Sequence, residues 1–311
     1  MSSIIKISPV FKEKIWGGSR LQEKYGFEIP SNTTGECWAV AAHSEGDCVI
    51  EGGDFDQQHL SNFYKENREL FGGCIHEQFP LLVKIIDAHK DLSIQVHPND
   101  NHARSLGLPH GKAEAWLILD TTEQGKVIVG HTCKNKSELA QALYNPTQYE
   151  WLHRFNVRPN QFYYLPGGTV HAVGAGTMVY EIEQNSNVAY RIYDYERLEG
   201  TQKRELHLDQ ALHAITVPDM KKEAIPQRII TNTMKHTMYL RSEHFVVQKF
   251  EIDEDTKIDQ NQMFMIVGFL SDGSINDTPA KAGDHFIALS TCDTLKISAG
   301  STIITTHIPS E

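Results

Sequence analysis

Short runs of apolar residues, broken by glycine, proline and polar turns, predict mostly β-strands along this chain. Residues 79–88 form a nearly continuous apolar run, which is typical of a strand buried on both faces. Two more strand-like runs flank a polar turn that contains Gly125. The predicted strands of this part of the chain are 79–88, 115–119, 126–130, 155–157, 162–165 and 178–183.

The last third of the chain predicts strands with almost no helix between them. Its apolar runs cover 245–250, 263–270, 285–289 and 301–306. Helical spacing predicts a short helix at 61–71, a capping residue followed by good helix formers predicts one at 137–143, and 207–215 reads as a third helix. The polar segment 217–227 is the best candidate for a linker. We therefore expect a mainly β protein, with a first domain over 1–225 and a smaller β domain over 226–311.

Composition and charge narrow the classes of function. The 311 residues carry a net charge of −11, which argues against a nucleic-acid-binding surface and against attraction to an anionic membrane. The N-terminal apolar run is too short for a signal peptide, so we expect a cytoplasmic protein. The five cysteines include no Cys-x-x-Cys pair, which predicts reduced and mostly buried thiols.

A candidate for chemistry is the run 92–100, which reads as the end of a strand. Side chains alternate along extended backbone, so Ser93, Gln95 and His97 share one face while the apolar residues, Leu92 included, take the other. Pro98 places His97 at the strand exit, where a ligand stays reachable from a cavity. Taken alone, however, a Gln-x-His pair is more often two hydrogen-bonded surface residues than a metal site.

Two more residues extend this pair. Glu114 enters a predicted strand after a loop, and His171 ends the turn 166–171, where two glycines let the backbone approach a bound group closely. Two imidazoles, a carboxylate and the amide oxygen of Gln95 would suit zinc or another divalent transition ion. The absence of thiolates from the set favours a catalytic rather than a structural metal.

These residues resemble a known superfamily. The turn 166–171, with His171 at its end, looks like the second motif of the cupin β-barrel. The pair Gln95 and His97, followed by Glu114, looks like the first motif in a variant with glutamine in place of a histidine. The resemblance implies two cupin-like β-barrel (jelly-roll) domains with a few peripheral helices, the C-terminal one without a metal site.

A longer resemblance is to type I mannose-6-phosphate isomerases of the short bacterial form. It extends over residues 16–197 and is carried as a set by the segments 79–84, 95–98, 112–114 and 184–191. This resemblance implies that the chain binds one Zn²⁺, although another divalent metal would also fit. The residues at the ligand positions are Gln95, His97, Glu114 and His171.

The same resemblance implies roles for five further residues. Arg191 matches the active-site arginine, and Ser93 matches the serine that contacts phosphate. Lys112 and Glu181 match residues of the catalytic pocket, with Glu181 as the hypothetical proton-transfer base. Arg197 lies near the position of a second basic phosphate contact. From the residues alone, Glu181 could instead belong to a solvated strand face, and Arg191 could pair with Asp194 or Glu196.

Trp16 has two interpretations, because an aromatic ring beside two glycines can stack on a sugar or fill a core. We name it as a candidate substrate contact, with the core as the simpler alternative. The expected function is metal-dependent aldose–ketose isomerisation of mannose 6-phosphate and fructose 6-phosphate by proton transfer between C1 and C2. The expected partner is a small sugar phosphate, and the chain would be a monomer or weak homo-oligomer. The alternative is a cupin metalloprotein of another class, an oxygenase or a non-catalytic sugar-phosphate binding protein.

Overall fold

The structure is a computed structural model that describes residues 3–145, 149–219 and 226–309. Within these ranges the chain is mainly β, with short helices at the periphery, as the apolar pattern predicts. No helix in them is both long and apolar enough to cross a membrane. All five cysteines are free and buried.

The strands follow one another closely along the chain. The first fifteen are β1 (Ile4–Ser8), β2 (Val10–Gly18), β3 (Thr34–Val40), β4 (Ala42–His43), β5 (Gly46–Asp47), β6 (Val49–Glu51), β7 (Leu81–Ala88), β8 (Ile94–Val96), β9 (Glu114–Thr121), β10 (Lys126–His131), β11 (Leu152–Asn156), β12 (Phe162–Leu165), β13 (His171–Val173), β14 (Thr177–Gln184) and β15 (Tyr190–Tyr193). The remaining twelve are β16 (Leu198–Glu199), β17 (Gln202–Lys203), β18 (Gln227–Ile230), β19 (Met234–Arg241), β20 (Val246–Ile252), β21 (Thr256–Asp259), β22 (Met265–Phe269), β23 (Gly273–Ile275), β24 (Thr278–Ala280), β25 (His285–Ala288), β26 (Thr294–Ile297) and β27 (Thr302–His307).

Two of the three predicted helices form as expected, and the third is interrupted. The helices are α1 (Arg20–Tyr25), α2 (Leu60–Glu66), α3 (Asp100–Ser105), α4 (Lys136–Tyr144) and α5 (Leu208–Ala214), with 3₁₀ turns at Gly53–Phe55, Arg68–Phe71 and Tyr149–Trp151. The predicted helix 61–71 breaks at Asn67, whose backbone leaves the helical region. The side-chain nitrogen of Asn67 donates to the Phe63 carbonyl at 3.0 Å. This local hydrogen bond competes with the backbone hydrogen bonds that would continue the helix.

Two sheets face each other in the N-terminal body. One has six strands in the order β12-β9-β14-β7-β3-β2, and the other has five in the order β11-β10-β13-β8-β15. Strand β7 lies inside the larger sheet and all eight of its residues are buried, which confirms the interpretation of its continuous apolar run. The space between the two sheets holds the candidate site.

A third sheet gathers the C-terminal strands but also takes in two strands from the start of the chain. Its order is β18-β19-β20-β27-β22-β25-β1-β6, and a four-stranded sheet, β21-β26-β23-β24, completes this body. The division at residue 225 stays a prediction. Strands β1 and β6 come from the first predicted domain but belong to the sheet of the second. Most of the predicted linker 217–227 lies outside the described residues.

An apolar cluster fills one end of the space between the first two sheets. It includes Trp16, Leu92 and Trp116. Leu92 comes before β8 begins, so it departs from the predicted alternation and packs inside this cluster. Ile94 and Val96 do follow the alternation, because they pack in a separate cluster with residues of α4 and α5. The other end of the space is polar.

Candidate metal centre and active site

The register of the five-stranded sheet brings three of the predicted residues into one row. Gln95, at the centre of β8, pairs with His171 of β13 on one side and with Arg191 of β15 on the other. Residues that pair directly across antiparallel strands carry their side chains on the same face. Strand register therefore forms this row, although more than 90 residues separate Gln95 from Arg191 in the sequence.

The six-stranded sheet supplies the opposing row. Glu114, the first residue of β9, pairs with Glu183 of β14. Two residues further into the sheet, Trp116 pairs with Glu181, which in turn pairs with Lys84 of β7. The alternation along β14 puts both of its glutamates on the same face. Facing sheets thus concentrate acids, imidazoles and ammonium groups at one end of the barrel.

His97, Glu114 and His171 converge there. The Nε2 atom of His97 is 2.9 Å from one Glu114 carboxylate oxygen, and the Nε2 atom of His171 is 3.5 Å from the other. All three side chains are 2% exposed. One ligand atom from each lies within 4.8 Å of the others, close enough for a shared cation.

The proton positions on the two imidazoles favour a cation between them. His97 Nδ1 is 2.7 Å from the Val188 carbonyl oxygen, and His171 Nδ1 is 2.9 Å from that of Thr169. Each Nδ1 therefore donates its proton to a carbonyl, which leaves the Nε2 lone pair directed at Glu114. Burial and the nearby Lys112 ammonium lower the pKa of His97 to about 3, so its ring is neutral.

The Nε2 atoms of the two imidazole rings and one carboxylate consequently face each other across a few ångströms. Among the described residues, His97 Nε2 and one Glu114 oxygen make no hydrogen bond of acceptable geometry, although the ion-pair distance is short. Buried acceptors left in this way are costly unless a cation or proton lies between them. Imidazole rings that ligate a metal usually donate their second nitrogen to a carbonyl or carboxylate, as both rings do here. The donor set fits a divalent transition metal.

Gln95 lies beside this group. Its side-chain nitrogen is placed 3.4 Å from His171 Nε2. A half-turn of the amide exchanges nitrogen and oxygen without changing the shape of the side chain. That rotamer would bring the amide oxygen, in place of the nitrogen, next to His171 Nε2.

A buried chain of charges continues from the candidate metal ligands into the larger sheet. The Lys112 ammonium lies 2.9 Å from Glu114 and 2.9 Å from Glu183. The Lys84 ammonium lies 2.8 Å from Glu183 and 3.3 Å from Glu181. Glu181 also accepts a hydrogen bond from the Trp116 indole at 2.8 Å. Charges of both signs alternate, so each carboxylate keeps a cationic or donor partner.

The environment separates the pKa values of these acids. Burial, together with Glu114 and Glu183, raises the pKa of Glu181 to about 8. Burial also disfavours the charged form of Glu114, but Lys112 and the two imidazoles outweigh it and hold that pKa well below its usual range. Two carboxylates in one site with opposite shifts suit different tasks, one as a ligand and one in proton transfer.

Sequence reasoning missed Lys84 and Glu183. A lysine inside the continuous apolar run 79–88 was the available signal, because a fully buried lysine needs an acidic partner. Glu183 follows Glu181 by two residues, which puts it on the same strand face. Glu181 itself is 4% exposed, so the alternative of a solvated strand face does not hold for it.

The residues expected to bind phosphate have different surroundings. Ser93 is buried just before β8. The Arg191 side chain is half-buried, and its Nε donates to the Glu205 carbonyl at 2.9 Å. Neither acid proposed as an alternative partner of Arg191 binds it, because Asp194 pairs with Arg197 and Arg204 and Glu196 pairs with Lys203.

Two expected substrate contacts lie apart from this polar group. Arg197 pairs with Asp194 and donates to the Asp91 carbonyl at 2.7 Å, and its guanidinium stacks over Tyr195. The Arg197 guanidinium is therefore engaged in contacts within the protein. Trp16 is 6% exposed within the apolar cluster, which matches the core interpretation rather than a sugar platform.

The chain is similar to known proteins of one family. The family model described as "Phosphomannose isomerase type I, catalytic domain" matches residues 4–141. The mannose-6-phosphate isomerase ManA of Bacillus subtilis is 36% identical over 96% of this chain and 97% of its own length. The mannose-6-phosphate isomerase of Streptococcus mutans is 35% identical over 95% of both chains.

Solved structures extend the comparison to the fold. The crystal structure of a mannose 6-phosphate isomerase from Bacillus subtilis is 37% identical, covers 99% of this chain and 100% of its own, and superposes with a TM-score of 0.94. A zinc-bound mannose 6-phosphate isomerase, 14% identical over 99% and 100% of the two chains, shares the fold with a TM-score of 0.76. The expected mainly β, cupin-like architecture is confirmed. With identity of this extent over nearly the whole length, the chain belongs to the type I phosphomannose isomerase family.

Proposed function

We propose that this chain interconverts mannose 6-phosphate and fructose 6-phosphate at the polar end of its N-terminal barrel. The carrying observation is the buried convergence of His97, Glu114 and His171 next to a second, high-pKa carboxylate, Glu181. Aldose–ketose isomerisation needs a polarised pair of substrate oxygens and one group that moves a proton between adjacent carbons. The relatives described above are named as isomerases, which favours this function over an oxygenase or a binding protein.

In this proposal Gln95, His97, Glu114 and His171 hold one divalent ion, with zinc as the expected metal. When bound, such an ion supplies Lewis-acid polarisation of the substrate oxygens. Two nitrogen and two oxygen donors match zinc in catalytic sites. The carbonyls of Val188 and Thr169 orient the two imidazoles, so their Nε2 atoms stay directed inward before any ion arrives.

Glu181 carries the proton in this mechanism. The Trp116 indole and the Lys84 ammonium hold its two carboxylate oxygens, so the group has one orientation. A pKa near 8 gives a carboxylate strong enough as a base to take a proton from carbon and to return it to the neighbouring carbon. A nearby divalent charge would lower this pKa and favour the ionised, accepting form at neutral pH.

Lys112 stabilises the negative charge that develops on the substrate oxygens during enediolate formation. Its ammonium already bridges Glu114 and Glu183 at 2.9 Å each, so it needs little rearrangement. Arg191 and Ser93 would bind the phosphate group by charge-assisted hydrogen bonds. Arg191 is suited to this role by its place in the row with Gln95 and His171. The structural contacts of Arg197 and the buried position of Trp16 leave both out of this proposal.

The test is a coupled assay of mannose 6-phosphate conversion on purified protein, with metal analysis of the same preparation. We expect about one zinc per chain, loss of activity on chelation, and its return when zinc is added. His97→Ala should lose both metal and activity. His307→Ala is the matched control, because His307 is similarly buried, at 3% exposure, in the C-terminal sheet.

Three results would contradict the proposal. Full isomerase activity in chelated protein or in His97→Ala would remove the metal from the mechanism. Stoichiometric metal and bound sugar phosphate without any turnover would indicate the binding-protein alternative. A redox-active metal with consumption of dioxygen would indicate an oxygenase.

A further inference from the structure

A buried hydrogen bond joins the C-terminal sheet to the strand that carries Glu181. Tyr180 precedes Glu181 in β14, so its side chain takes the opposite face of that strand. The Tyr180 hydroxyl lies 2.9 Å from Nε2 of His285, the first residue of β25 and 105 positions along the chain. Their exposed fractions are 1% and 2%. The bond therefore couples two bodies of the protein in a solvent-free environment.

The direction of this hydrogen bond is determined by a second one. His285 Nδ1 lies 2.8 Å from the Gly283 carbonyl oxygen, so Nδ1 carries the proton and Nε2 carries the lone pair. The Tyr180 hydroxyl must then donate to Nε2. Burial lowers the pKa of His285 to about 4 and raises the pKa of Tyr180 well above its usual value. Both groups thus remain neutral, as donor and acceptor, at neutral pH.

The packing around the pair leaves it little freedom. The two rings are stacked, with centroids 5.6 Å apart and planes 17° apart. Gly268 of β22 pairs directly with His285. A Cβ atom at position 268 would lie 2.5 Å from the Tyr180 hydroxyl and 2.7 Å from His285 Nε2. Glycine is required at this position because the backbone approaches the hydrogen bond so closely.

On the other face of β14, Glu181 depends on short contacts to Trp116 and Lys84. Adjacent residues of a strand share one backbone. The position and twist of the β14 backbone at Tyr180 therefore set the position of the Glu181 carboxylate. We propose that His285 is a positioning residue that acts through the Tyr180 hydroxyl to hold Glu181 in place for proton transfer. This inference rests on the proposed function, and it gives the C-terminal body a part in the reaction.

Tyr180→Phe is the direct test, because it removes only the hydroxyl. Tyr64→Phe is its matched control, since the Tyr64 hydroxyl is also in a 1% exposed residue and donates to the His76 carbonyl at 2.8 Å. Misplacement of a reacting group is costly, so we expect kcat for mannose 6-phosphate to fall about ten-fold or more in Tyr180→Phe. KM should change by less than about two-fold, because the phosphate contacts belong to the other sheet. Equal kcat in the two variants would overturn the proposal.

A pair of variants at position 285 separates positioning from simple loss of packing. The glutamine of His285→Gln offers an oxygen near the place of Nε2 and should recover much of the kcat that His285→Leu loses. The double variant Tyr180→Phe/His285→Leu should be no slower than the slower single variant. Additive losses, or no recovery by glutamine, would contradict a role through this bond. If His285→Leu does not fold, Tyr180→Phe and His285→Gln decide the question.

Amide hydrogen exchange over residues 177–184 gives a readout that does not depend on activity. In Tyr180→Phe this segment should exchange faster than in wild type, and in Tyr64→Phe it should not. Unchanged exchange in Tyr180→Phe would overturn the positioning role whatever the assay gives. Faster exchange in a chain whose wild type shows no isomerase activity would refute the proposed function while supporting the coupling between the two bodies.

Discussion

Replacing Lys84 by methionine should destabilise the metal-free protein by about 3 kcal/mol at pH 9. The Lys84 ammonium, 6% exposed, lies 2.8 Å from Glu183 and 3.3 Å from Glu181. Breaking a buried ion pair costs about 3–5 kcal/mol because a charge is left without compensation. Glu183 retains Lys112 at 2.9 Å, whereas among the described residues Lys84 is the cation within 4.0 Å of Glu181. One uncompensated carboxylate places the expected loss at the lower end of that range.

The loss should be smaller at low pH. The pKa of Glu181 is raised to about 8, so the folded protein retains a proton there that the unfolded chain releases near 4.5. The free energy of unfolding therefore falls as the pH rises from about 4.5 to about 8, where Glu181 ionises in the folded protein. Lys84 lowers this pKa, so without Lys84 the fall continues to a higher pH. The difference between wild type and Lys84→Met should stay constant from pH 6 to about 8 and then grow by up to about 1.4 kcal/mol per pH unit.

Urea unfolding in the presence of a chelator, at pH 6 and at pH 9, measures both quantities. The control is Lys14→Met, because the Lys14 ammonium makes a comparable 3.3 Å contact to Glu36 but the side chain is 35% exposed. Because Lys14 is part-exposed and the buried Glu36 keeps a hydrogen bond from the Trp38 indole at 2.7 Å, this change should cost only about 1 kcal/mol. If Lys84→Met cost no more than Lys14→Met, or if its cost did not rise above pH 8, the buried charge chain would not stabilise the fold.

Three further outcomes are expected. Losing a hydrogen-bond partner of a metal ligand weakens metal binding about 10–100-fold. Glu114→Gln changes a ligand itself, so it should weaken binding by more than that, as measured by competition with a chromophoric chelator. Arg191→Ala should raise KM for mannose 6-phosphate about 100-fold, whereas Arg197→Ala should lower the unfolding midpoint and leave KM unchanged; the reverse pattern would exchange their roles. Since burial lowers the pKa of His285 from 6.5 to about 4, the stability that it contributes above pH 6.5 is lost as the pH falls toward 4. That loss, about 3 kcal/mol, should be absent in His285→Gln in urea unfolding across that range.

Local features of the chain accounted for much of the fold. The apolar run 79–88 is a buried strand, and the helices at 137–143 and 207–215 form within a residue or so of their expected ends. These predictions held because the helical period acts over a few residues. The cap of α4 is Asn135, one residue before the helix, and α5 has no side-chain cap. The helix 61–71 was wrong beyond Glu66, since the side chain of Asn67 binds the preceding backbone instead.

The candidate site shows where local inference ends. Alternation placed Gln95 and His97 on one face, but it did not show that Lys84 and Glu183 belong to the same charge chain, which depends on strand register. It also failed for Leu92, which lies just outside its strand.

The sequence by itself determined the strand-rich architecture and the resemblance to its family, and it supplied the candidate donor residues, because these depend on residue type and short-range order. Only the tertiary structure decided which charges neutralise one another and which side chains are occupied. Arg197 is bound to Asp194, and Trp16 lies within an apolar cluster. His285 contacts the strand of Glu181 from a different body of the protein. These pairings arise from the register and stacking of sheets whose strands are distant in the chain, and no local pattern encodes them.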